Sequence, residues 1–196
     1  MQSKASLANL IASDYKSHDE NTLSALTMFK FFLYFSTVQL CLFSLEKLNS
    51  TRELVIIPFT EKLAQISTWL IQIFDDQVIS NGIILQHLEN GFSVSIESGC
   101  NGVEALMILA SAMLVFPAPW LFKLQGIIIG FIAVELLNIV RIISLFYLGQ
   151  WSLVAFEWAH LYIWEALIML DVLIIFLCWL KFLPDTPERV TEKHAD

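Results

Sequence analysis

The stretch from Leu124 to Leu148 is almost wholly apolar, interrupted by Glu135, Asn138 and Arg141. A segment of that length has few homes: a bilayer core about 30 Å thick is crossed by roughly 20 mainly apolar helical residues. Three more stretches qualify. Met28–Leu45 is one. Val103–Phe116 reaches spanning length once Gly99–Gly102 are added, and Phe156–Leu183 carries Glu157, His160, Glu165 and Asp171. Pro117 and Pro119 follow the second span and Pro184 the last, where helices stop. Of 196 residues, 57% are hydrophobic and 15% charged, with mean hydropathy +0.67. A soluble domain carries about 25% charged residues, so too few polar side chains remain here to cover a soluble surface. The expected class is an all-α integral membrane protein of about four transmembrane helices, 28–45, 100–116, 124–148 and 156–183.

Basic residues orient the spans, because Lys and Arg are retained on the cytoplasmic side of short loops. Lys4, Lys16, Lys30, Lys123, Lys181, Arg189 and Lys193 fall on one side, against Lys47, Arg52 and Lys62 on the other. Both termini, 1–27 and 184–196, are therefore expected in the cytoplasm, and segment 46–99 outside. Met1–Asn21 is polar and lacks the basic and apolar regions of a cleaved signal, so insertion is expected to begin at a retained span. The net charge of −8 includes seven acids between Glu46 and Glu97, and no basic footprint for nucleic acid is present. Cys41, Cys100 and Cys178 are far apart and odd in number, which argues against a disulfide framework.

The outer segment has structure of its own. Phe59, Leu63, Ile66, Leu70 and Ile73 recur at steps of four and three, which predicts an amphipathic helix opened by Pro58 and lying in the outer interface. A fifth, partly buried span is the other reading of the same residues. Ile83–Glu89 and Phe92–Glu97 flank Asn90-Gly91, and Phe92, Val94 and Ile96 alternate with Ser93, Ser95 and Glu97. That pattern predicts a small β-hairpin with a two-residue turn.

Helical rise places three unusual side chains at one depth. Counted from the inner marks Pro117, Lys123 and Lys181, residues Cys100, Arg141 and His160 lie about 26, 27 and 31 Å away, near the outer edge of the hydrocarbon. An ionisable group inside a membrane marks a functional site by default. Cys100 follows a glycine and opens a helix, where free N–H groups favour a thiolate. His160 has the chemistry to take the thiol proton and return it to a leaving amine. Arg141 stays protonated and suits an oxyanion or a substrate carbonyl. Together they describe acyl transfer through a thioester. Asn138 and Glu104 are candidates to orient Arg141, and Glu157 to orient His160. Plain packing of Cys100, snorkelling of Arg141 and an interfacial anchor at His160 are the competing readings. No cofactor is implied, and a metal site is disfavoured because Arg141 repels a cation and ligands are few.

Gly99-Cys100-Asn101-Gly102-Val103-Glu104-Ala105, then Asn138-Ile139-Val140-Arg141-Ile142, then His160, resembles the exosortase/archaeosortase family, most closely its exosortase H branch. The resemblance covers roughly Leu54–Leu183. It implies a multi-pass membrane cysteine protease/transpeptidase of the bacterial inner membrane, with Cys100 as nucleophile, Arg141 as stabiliser and His160 as general base and acid. Residues 28–183 then form the membrane catalytic domain. Implied partners are exported proteins ending in an Ile-Pro-Thr-Leu-like motif, a transmembrane helix and a basic end. Asn101 stands where many members have Ser, and Leu161-Tyr162-Ile163-Trp164 replaces a Gly-containing pattern after the His, which bears on substrate specificity. A non-enzymatic membrane subunit binding a partner through the outer segment is the alternative, and a transporter component a weaker one.

Overall fold

The computed structural model describes residues 26–183, so nearly all of the expected cytoplasmic segment 1–27, and all of 184–196, lie outside the described residues. In chain order the elements are α1 (Leu26–Glu46), α2 (Asn49–Ile71), strands β1 (Val78–Asn81), β2 (Ile84–His87) and β3 (Ser93–Ser95), then α3 (Val103–Val115), α4 (Trp120–Trp151) and α5 (Leu153–Lys181). Four helices, α1, α2, α4 and α5, are long and apolar enough to cross a membrane. The class is therefore an all-α membrane protein with a small antiparallel sheet.

Membership of that set differs from expectation. The expected span 100–116 is the 13-residue α3, about 20 Å long and shorter than a bilayer core. Its place among the long helices is taken by α2, which starts nine residues before Pro58 and runs through it. Proline lacks an N–H and its ring presses on the carbonyl four residues back. The chain absorbs this in a widened π-turn at Arg52–Ile56, directly upstream.

Burial on α2 falls mainly beside the apolar stripe, sharing Leu63 with it. The face turned inward is Thr60, Leu63, Ala64, Ser67, Thr68 and Ile71, whereas Ile66 and Ile73 are exposed. In lipid the apolar side chains gain nothing by turning inward, and small residues let helices approach closely. The beginning, middle and end of α2 all touch one end of the molecule. Arg52 and Ile56 border a cleft with Glu97–Gly99, Thr60 bonds Asn101, and the end packs under β1 and β2.

The sheet order is β1-β2-β3, all antiparallel, one strand more than the expected hairpin. Pairing of Asn81 with Ile84 leaves Gly82 and Ile83 as the two-residue turn, with Gly82 at φ 59. Glycine at the first turn position fits the mirror-image turns that match strand twist. Asn90-Gly91, expected to be the tight turn, instead sits in the four-residue loop 88–91, closed by His87 N–H on Phe92 C=O at 2.9 Å. The Asn90 side chain accepts from Phe92 N–H at 2.9 Å and Gly91 takes φ 71, so the pair is used for an Asx turn. Val78, Leu85 and Ile96 face inward onto Leu63, Ile71, Ile142 and Phe146.

The opposite end is aromatic. Phe31, Phe122 and Phe176 meet Phe116 and Trp179, with Phe122 stacked on Trp179 at 5.3 Å. The Trp179 indole donates to Phe122 C=O at 3.2 Å, satisfying a polar atom that lipid would leave bare. Gly126 and Gly130 of α4 have no room for a side chain against Trp179 and Leu109, which holds α4 close to α3 and α5. Lys123 donates to Leu114 C=O at 2.6 Å, filling an orphan carbonyl at the C-terminus of α3.

Candidate active site

The site grows from the turn after β3. Glu97 C=O accepts from Cys100 N–H at 2.9 Å, and Gly99, third in that turn, has φ 86. That is the position a type II turn reserves for glycine. A second left-handed glycine, Gly102 with φ 79, leads into α3. Between them Asn101 is buried. Its oxygen accepts from Val103 N–H at 3.2 Å and its amide donates to Thr60 Oγ1 at 3.0 Å, tying the loop to α2.

Cys100 is thus presented on a two-glycine loop and does not open a helix, since α3 begins at Val103. The expected thiolate is corrected with it. Burial pushes the Cys100 thiol above its ordinary value, and the Arg141 guanidinium pulls it only partly back. A buried sulfur loses more hydration as an anion than the nearby cation returns.

The three expected side chains converge. Cys100 Sγ lies 2.9 Å from His160 Nε2, and Arg141 Nη2 is 3.7 Å from the same sulfur. Arg141 Nη1 donates to Gly99 C=O at 3.3 Å, so the guanidinium spans the turn and the thiol. It is 2% exposed, and no carboxylate pairs with it among the described residues. His160 lies in a π-turn, Ala159–Ile163, inside α5. Such a turn holds one residue more than an α-turn and is frequent at functional sites. Phe156, four residues earlier, stacks on the imidazole at 5.6 Å and 9°.

The supporting residues fare differently. Glu104 does not reach Arg141; it faces Glu46 across a cleft of about 610 Å³ beside Gly99. Glu157 is exposed and does not bond His160, because the face of α5 carrying His160 also carries Phe156. Asn138 is buried one turn below Arg141 without bonding it. It lies under Gly102 together with Glu135, and a Cβ on that glycine would come within 2.7 Å of Glu135 Oε1 and 3.2 Å of Asn138 Nδ2. Glu135 is therefore beside the site loop. Phe156 was signalled only by an aromatic residue one turn before a histidine, and Thr60 by nothing local.

Cys100, Arg141 and His160 open into a cleft of about 130 Å³ bounded by Val94–Glu97, Ile142, Leu145 and Phe156. No three His, Cys, Asp or Glu side chains converge among the described residues. A thiol touching an imidazole, with a buried cation alongside, has the parts for nucleophilic attack, proton transfer and oxyanion stabilisation. The family model for transmembrane exosortases matches residues 22–178, most of the chain. The protein belongs to the transmembrane exosortase family. No curated protein and no solved structure matches it.

Proposed function

We propose that the protein is a membrane-embedded cysteine protease/transpeptidase that cleaves C-terminal sorting signals of exported proteins at the outer face of the inner membrane, both termini being cytoplasmic. The observation that carries this reading is the 2.9 Å contact of Cys100 Sγ with His160 Nε2, with Arg141 Nη2 at 3.7 Å from the sulfur. Family resemblance supplies the substrate class, a tail with an Ile-Pro-Thr-Leu-like motif, an apolar span and a basic end.

In the first half-reaction the Cys100 sulfur attacks the scissile carbonyl carbon while its proton passes to His160 Nε2. Negative charge develops on the carbonyl oxygen beside Arg141, which is buried and therefore acts in a low dielectric. The C–N bond then breaks, and His160 returns the proton to the departing amine. A thioester remains on Cys100. In the second half-reaction water or an amine attacks the thioester, and His160 takes its proton and passes it to the departing sulfur, which leaves as a thiol. Starting from a protonated thiol couples sulfur activation to substrate arrival, because proton transfer and attack occur together.

Cys100→Ala is expected to insert normally while the tailed substrate accumulates uncleaved, as read by mass shift on a gel. Normal processing in that variant would exclude the mechanism. Trapping the acyl group on Cys100 and identifying it by mass spectrometry separates a thioester route from a structural role.

A further inference from the structure

Strand β3 is the last in the sheet, and among the described residues no strand pairs with its outer edge. The ladder determines which atoms that edge presents. His87 N–H donates to Phe92 C=O, Ile96 N–H donates to Ile83 C=O, and Val94 lies opposite Leu85. Phe92, Val94 and Ile96 therefore turn their peptide groups toward β2. Alternation in an antiparallel pair turns Ser93, Ser95 and Glu97 the other way. Glu97 C=O closes the turn onto Cys100. The N–H groups of Ser93, Ser95 and Glu97, with the carbonyls of Ser93 and Ser95, are left as a row of backbone groups without a partner strand.

That row borders the reactive sulfur. Val94, Ser95, Ile96 and Glu97 all wall the cleft that holds Cys100 and His160. Successive side chains of a strand point to opposite faces, so four consecutive residues line one cleft only where it runs along the strand's edge. At about 130 Å³ the cleft is small. A helix about 10 Å across does not enter it, whereas an extended backbone at the ~4.8 Å interstrand spacing does.

We propose that β3 is the docking edge for the polypeptide substrate. An extended segment adds as a fourth strand, bonds the outward peptide groups of Ser93, Ser95 and Glu97, and delivers its scissile carbonyl to Cys100. This rests on the acyl-transfer reading above. β3 runs toward Cys100, and the residues before the scissile carbonyl must end there, so they run parallel to β3. Main-chain bonds supply affinity and every second side chain supplies specificity, here against the apolar wall of Leu145 and Phe156. The segment before the cleavage point must therefore be extended.

The test uses the full chain in membrane vesicles, with Cys41 and Cys178 replaced by Ser, Cys100→Ala to hold the substrate, and Ser95→Cys as the probe. The partner is a reporter protein ending in an Ile-Pro-Thr-Leu motif, an apolar span and a basic end, with one Cys moved stepwise upstream of the motif. Disulfides are expected at alternate reporter positions. In parallel, with Cys100 intact, Ser95→Pro removes an outward N–H that the sheet does not use. Loss of one or two such bonds is expected to raise KM for the reporter by about tenfold, while Ser95→Ala, which keeps the N–H, is expected to raise it by much less. Disulfides spaced by three or four, or absent while Cys100→Ala still blocks processing, would overturn the edge and leave the transpeptidase reading standing. Unchanged processing in Ser95→Pro would also overturn it. Continued processing in Cys100→Ala removes the catalytic reading and this proposal with it.

Discussion

Burial pushes the Cys100 thiol above its ordinary value, with Arg141 opposing. Burial favours neutral S–H, so the thiolate appears at higher pH than in a free cysteine. With Cys41 and Cys178 replaced by Ser, alkylation of Cys100 by iodoacetamide is expected to rise only as pH passes above the ordinary thiol value of about 8.5. Arg141→Ala removes the attraction that favours the anion and should move the midpoint higher still; a midpoint at or below the free-thiol value would contradict this. In catalysis Arg141→Lys keeps the charge but loses the fork that meets both Gly99 C=O and the sulfur. Turnover of the tailed reporter is expected to fall by ~10²–10³, the usual cost of one oxyanion donor, with a smaller change in KM. The convergence of Cys100, Arg141 and His160 was legible because charge is so sparse in the spans that Arg141 and His160 stand out, and helical rise put them level with Cys100. The protonation state was not, since burial of one sulfur is set by α2, α4 and the sheet together. The same limit explains Glu157: spacing says which residues share a helix, but the π-turn and Phe156 decide where the ring points.

Within the elements, the loop that carries Cys100 depends on two left-handed glycines whose surroundings differ. Gly99 has nothing within 4 Å of a would-be Cβ, while at Gly102 the same atom meets Glu135 and Asn138. Gly99→Ala should cost only the backbone strain, about 1–2 kcal/mol. Gly102→Ala should cost that plus roughly 1–3 kcal/mol of overpacking, so thermal unfolding in detergent ranks it the less stable. Adding Glu135→Ala should recover part of the difference, whereas equal melting of the two single variants would rule out the close approach. The π-turn in α5 invites a second test. Deleting Leu161 converts it to an α-turn, which keeps the two flanks of α5 in phase but shifts His160 within the turn. Insertion should persist and reporter cleavage should not; full activity in the deletion would deny the turn a role. Neither π-turn was readable in the sequence, because one extra residue scarcely disturbs an apolar pattern. The three strands were half readable. Alternation over 92–97 marked β3, but Gly82-Ile83 looked like any apolar step until β1 was seen to pair across it. On α2 the apolar stripe was legible, but the packed face of small residues beside it was not, because hydropathy carries no mark of close helix approach.

The whole molecule has two unlike ends, an aromatic one at Phe116 and Trp179 and a polar one where the sheet, the two-glycine loop and the start of α5 meet. Sidedness is inferred from the basic residues and is open to direct measurement. Glu89→Cys, exposed in the 88–91 loop, should react with a membrane-impermeant maleimide from outside intact cells, and Pro117→Cys, exposed between α3 and α4, only after permeabilisation. The reverse pattern would place the reactive pair on the cytoplasmic side and exclude an outer-face activity. The count of long apolar helices was readable from hydropathy, but hydropathy could not say that Cys100 precedes a helix of only 13 residues. Burial of the sulfur has one more consequence at this scale. Oxidation to sulfenic acid and attack on disulfides both proceed through the thiolate. On the proposed outer-face reading, a cysteine whose thiol is pushed above its ordinary value until a carbonyl is seated is a slow target for peroxides and thiol oxidases.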